Sequence, residues 1–185
     1  MVLYDFPQSG HERYVKAFDR AIAMIEEQDE NDHVGRAAAM GDATTDVLAV
    51  SLLAGQDRAQ PWVERELPAF REHVRDALRR HRPALAAWLG TIDVALWQRN
   101  RDGWYRASLG RSAAEVLVHE EDDGDDPLVP PHRLAEVDEE MRDIGPGLNA
   151  LPPEVIPRGL PESHWWWHLP QGPNEPDTDA ADYSY

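Results

Sequence analysis

The stretch Thr91-Ile92-Asp93-Val94-Ala95-Leu96-Trp97-Gln98-Arg99-Asn100-Arg101-Asp102-Gly103-Trp104-Tyr105-Arg106-Ala107-Ser108-Leu109 decides the fold class. Ile92, Val94 and Leu96 alternate with Asp93, Ala95 and Trp97, a period of two that fits a strand. Asn100 to Gly103 supplies turn chemistry, and Trp104 to Leu109 can return as a second strand. Glu115 to His119 is a third candidate strand. Leu85 to Trp97 also fits a single longer amphipathic helix. The expectation is an α+β fold with a small antiparallel sheet; its alternative is a mostly α fold.

Upstream of this stretch the spacing is helical. Ser9 and Glu12 form an S-x-x-E capping box, followed by Tyr14, Val15, Phe18, Ile22 and Ile25 on one face. A second helix spans about Asp32 to Ala54, with Gly41-Asp42 expected to break or re-cap it and Gly55 to end it. Its half from Val47 to Ala54 is apolar enough to be the most buried helix, or else a buried strand. Pro61 suits a helix first turn, Pro68 should kink or restart that helix, and Pro83 marks a further restart. They divide the chain into three or four N-terminal helices before the candidate sheet.

Downstream, the sequence becomes acidic and rich in proline. Glu120, Glu121, Asp122 and Asp123 open an acidic loop running to Asp126. This loop lacks the spacing of a calcium-binding hand. After Pro130-Pro131, Leu134, Val137, Met141 and Ile144 define one face of a short helix, with Glu136, Glu139, Glu140 and Asp143 on the other. A strap follows, with eight prolines between Pro146 and Pro176. The expected units are a helical domain with meander over 1–118, an acidic loop and helix over 119–145, and a strap over 146–185.

The strap holds Glu162-Ser163-His164-Trp165-Trp166-Trp167-His168, with three of the chain's seven tryptophans in a row. Each indole buries about 150 to 250 Å², so the triplet must dock. One destination is the chain's own core. The other is a protein partner, where Trp165, Trp166 and Trp167 form the hot spot flanked by His164 and His168. His164 and His168, spaced i, i+4, also raise a metal or enzyme reading. The residue after His164 is Trp165, however, and no general-base glutamate stands there.

Charge narrows the functional classes. The chain of 185 residues has 35 acids and 18 bases, a formal net of −17. Residues 1 to 118 hold 18 acids and 15 bases, a net of −3, and residues 119 to 185 hold 17 acids and 3 bases, a net of −14. Such a surface repels nucleic acid and anionic membranes and favours a basic protein partner. Lys16 is the only lysine, beside 17 arginines, and there is no cysteine. Disulfides, thiolate metal sites and cysteine nucleophiles are thereby excluded. Arg71, Arg75 and Arg79 form a basic stripe, read either as a solvated face paired with Glu72 and Asp76 or as a receptor for an anionic segment.

No phosphate-cradling glycine loop, nucleophile elbow or zincin motif is present. His11-Glu12 and Glu72-His73 could converge as a carboxylate–histidine bundle, but the E-x-x-H spacing is missing. No cofactor is expected. Lacking an apolar run of about eighteen residues or a basic-then-apolar leader, the chain reads as cytoplasmic. The leading functional expectation is a non-enzymatic acidic protein that binds or neutralises a basic partner, in the manner of an immunity protein, antitoxin, adaptor or DNA mimic. The rivals are a metal protein or enzyme built on His164 and His168, and a homo-oligomer assembled by strap exchange.

Overall fold

A computed structural model describes residues 6–7, 10–119 and 127–172. Among the described residues there are seven α-helices and no strand: α1 (His11–Glu27), α2 (His33–Gln56), α3 (Pro61–Arg65), α4 (Leu67–Arg80), α5 (Arg82–Trp97), α6 (Arg101–His119) and α7 (Pro131–Ile144). The expected antiparallel sheet is therefore corrected to helix throughout. Residues 91–97 end α5, and 104–109 and 115–119 lie within α6.

The strand reading fails because helical burial also places Ile92, Ala95 and Leu96 inside. Val94 and Trp97 face solvent, and they supplied the misleading alternation. Asn100 to Gly103 is a helix start in place of a hairpin turn. Asn100 Oδ1 accepts from Gly103 N at 2.8 Å, and Asn100 O accepts from Trp104 N at 2.9 Å. Gly103 is required there because a Cβ would collide with the Ala95 carbonyl oxygen and lie 2.9 Å from Gln98 Cβ. The α5–α6 pair is a helical hairpin whose turn holds the two backbones in close contact.

Gly41 is likewise a contact point and not a break. The helix α2 runs unbroken, capped by Asp32, whose Oδ1 accepts from Gly35 N at 2.9 Å. A Cβ on Gly41 would lie 3.1 Å from Trp88 Cδ1, so the missing side chain lets α5 approach. Val47 to Ala54 is helical, and all its residues except Ser51 are buried. By length and composition α2 could cross a membrane. Of its apolar window 67% is buried inside the fold, as befits the helix that α1, α5 and α6 surround.

The prolines act as expected. Pro61, Pro68 and Pro83 each occupy the first turn of α3, α4 and α5, where a missing amide hydrogen is harmless. The expected capping box rests on Ser9, which lies outside the described residues; α1 has Gly10 as its N-cap, which makes no side-chain cap bond. Beyond α7 the chain continues as short 3-10 turns at Gly145–Gly147, Pro153–Val155 and Trp165–His168. Gly172 pairs with residues 148–150 through Gly172 N to Leu148 O at 3.0 Å and Ala150 N to Gly172 O at 3.3 Å.

Candidate functional site

The tryptophan triplet divides by position. Trp166 and Trp167 are each 1% exposed, whereas Trp165 is only partly covered. Trp166 Nε1 donates to Ser108 O at 3.2 Å and Ser112 Oγ at 3.1 Å, and Trp167 Nε1 to Ser112 Oγ at 2.8 Å. Trp104 Nε1 returns a bond to Trp166 O at 3.1 Å. These two indoles close the chain's own core over α6, so they are not offered to a partner in this structure. Trp165 lies edge-on to Trp166, with the Arg142 guanidinium 4.7 Å from its ring centre.

Beneath them Arg111 joins three segments. It is buried, reaches Asp138 of α7 through Nε at 2.7 Å and Nη2 at 3.1 Å, and reaches Glu115 through Nη1 at 2.6 Å. Trp166 covers it, ring centre to guanidinium 4.4 Å. Burial lowers the Arg111 pKa, but the bonds to Asp138 and Glu115 outweigh it, and the net shift is upward. The group stays charged.

The two histidines do not converge. His164 is buried and stacked on Trp166 at 4.7 Å, while His168 is exposed. The reason is the 3-10 turn, which has about three residues per turn, so i, i+4 residues leave a common face. No group of three or more histidines and acids able to hold a metal occurs among the described residues. On the basic stripe, Arg71 and Arg79 are exposed and Arg75 is partly buried on the outer side of α4. Glu120, Glu121, Asp122 and Asp123 lie outside the described residues.

Two other features come together that the sequence did not join. The first is an acidic stripe on α7, bonded to the helix that carries an exposed indole. Glu136, Glu139 and Asp143 are exposed on α7, with Glu140 partly so. Arg133 ties Asp93 of α5 to Glu136, bonding both, and donates to Leu89 O at 3.3 Å. Trp97, four residues along α5 from Asp93 and so on the same face, is 69% exposed.

The second is a cavity of about 310 Å³ among α1 to α4. His11 Nε2 lies 3.0 Å from Glu66 Oε2, and His73 Nε2 lies 2.9 Å from Asp19 Oδ1. The Trp62 indole stacks on His11 with ring centres 4.1 Å apart and an interplanar angle of 10°. His11 and His73 were expected to meet, if at all, with Glu12 and Glu72. They meet instead with Glu66 and Asp19, and the readable signal was the four-residue step from His11 through Val15 to Asp19.

No family model, curated protein or solved structure matches the chain.

Proposed function

We propose that this protein is a non-enzymatic binder of a basic protein partner, using the acidic stripe of α7 with Trp97 as its apolar anchor. One observation carries the reading: Arg133 bonds Asp93 and Glu136 together, which ties the stripe of α7 to the helix that carries, one turn on from Asp93, an indole 69% exposed. Complementary charge speeds encounter, and a large aromatic at the centre of the contact slows dissociation. The stripe follows the acidic run Glu120 to Asp126 in sequence. Of the arginines of α7, Arg133 pairs with Glu136 while also bonding Asp93 and Leu89 O of α5, and Arg142 lies over the Trp165 ring.

The indole anchor thus moves from the strap to α5. Immunity proteins, antitoxins, adaptors and DNA mimics share this physical profile, and the partner's surface should carry arginine and lysine around an apolar recess. The test is capture from native lysate by the full chain, by Trp97→Ala and by a variant with Glu136, Glu139 and Glu140 changed to Gln and Asp143 to Asn. A basic protein retained at low salt, released at high salt and lost with both variants supports the proposal. Retention of the same proteins by both variants contradicts it.

A further inference from the structure

The cavity between α1 and α4 has an order that its individual contacts do not display. His11, Val15 and Asp19 succeed one another along α1, and Glu66, Phe70 and His73 along the start and middle of α4. Steps of three and four residues stack side chains on one helix face. Because His11 meets Glu66 and Asp19 meets His73, the two stripes run parallel. Polarity is swapped between their ends, with one imidazole and one carboxylate at each. Val15 and Phe70 form the waist between the ends, and Leu67 and Trp62 add further apolar wall.

Charge and length specify what fits. Glu66 and Asp19 each share one oxygen with an imidazole and remain 63% and 53% exposed, so both keep lone pairs for another donor. With neutral imidazoles the slot carries two negative charges at its ends and none at its waist. The ends are about 12 Å apart at a rise of about 1.5 Å per residue over eight residues. Allowing about 2.8 Å for each ammonium–carboxylate contact leaves about 6 to 7 Å between two nitrogens, the reach of about four methylenes fully extended or five with one gauche bend. Trp62, Phe70, Val15 and Leu67 line the slot with apolar surface for the methylenes.

We infer that this cavity binds a short linear aliphatic diamine, one ammonium at each histidine–carboxylate pair and the methylenes over Phe70. The inference is independent of the α7 surface.

Calorimetric titration of the full chain tests it with cadaverine, pentylamine, pentanediol and glutarate, which share a five-carbon span and differ in charge. Cadaverine is expected to saturate at one molecule per chain, pentylamine to bind about tenfold more weakly, and the diol and the diacid not to bind. Glu66→Gln and Asp19→Asn, both at exposed side chains, should each weaken cadaverine about tenfold, the factor that corresponds to about 1.4 kcal/mol. Glu154→Gln, at an exposed residue of the strap, removes the same charge elsewhere and should leave binding unchanged. The inference is overturned if glutarate or pentanediol binds as well as cadaverine, if no saturation occurs, or if Glu154→Gln weakens binding as much as Glu66→Gln does.

Discussion

Trp167 Nε1 donates to Ser112 Oγ at 2.8 Å. Trp166 Nε1 reaches the same oxygen at 3.1 Å, so the two lone pairs of one hydroxyl satisfy two buried indoles. Ser112→Ala leaves Trp167 Nε1 without that acceptor, whereas Trp166 retains Ser108 O. A buried donor left unpaired costs about 1 to 3 kcal/mol. Urea denaturation should show a loss of about 2 kcal/mol; no measurable loss would mean that the strap is not seated on α6.

Arg111 and Asp138 make an asymmetric pair of deletions. Asp138→Ala leaves a buried guanidinium short of its bidentate partner, while Glu115 and the Trp166 face remain. Breaking a buried pair in this way costs about 3 to 5 kcal/mol. Arg111→Met combined with Asp138→Leu removes both charges and should cost less than Asp138→Ala alone. Equal losses in the two variants would show that the charge is not desolvated.

The hairpin between α5 and α6 makes a sharper claim about Asn100 and Gly103. Asn100→Ala removes the side-chain acceptor for Gly103 N and should cost about 1 kcal/mol, as for other helix N-caps. Gly103→Ala should cost more, because its methyl meets the Ala95 carbonyl oxygen. A strand hairpin at this place would instead tolerate Asn100→Ala with little change, so the order of the two losses in thermal unfolding decides.

Much of the helical layout was legible because prolines and apolar spacing mark it locally. Pro61, Pro68 and Pro83 fall in the first turns of their helices, and the inner face of α7 is Leu134, Val137, Met141 and Ile144 as the spacing required. The α5–α6 hairpin was not legible. Helices buried on several sides lose a clean period, and exposed Val94 and Trp97 completed a false alternation. Gly41 and Gly103 read as breakers, yet each exists to admit a neighbour distant in sequence or across a turn. The cavity pairs were hidden for the same reason: His11 and Glu66 are 55 residues apart, and spacing on one helix says nothing of which helix faces it.

Asp46 provides a pH signature. Burial, and then the neighbouring carboxylate Asp42, push its pKa up from 3.8 to about 7, against a smaller opposing pull from Arg20 and Arg13. The folded chain therefore holds this proton up to about pH 7, while the unfolded chain releases it near 3.8. Its contribution to stability is full below that lower value and declines as pH rises through the interval. Asp46→Asn should leave stability little changed near pH 4 and raise it relative to the unaltered chain above pH 7. A difference independent of pH, in denaturation midpoints measured across this range, would contradict the assignment.

Trp166 and Trp167 belong to the interior of their own chain, and Trp97 stands 69% exposed. Hydrogen exchange of the indole N–H groups, followed by NMR on the isolated protein without any partner, measures this directly. Trp104, Trp166 and Trp167 should exchange slowly, limited by opening of the fold, and Trp97 at the rate of a solvated indole. Exchange of Trp166 and Trp167 as fast as that of Trp97 would contradict the account.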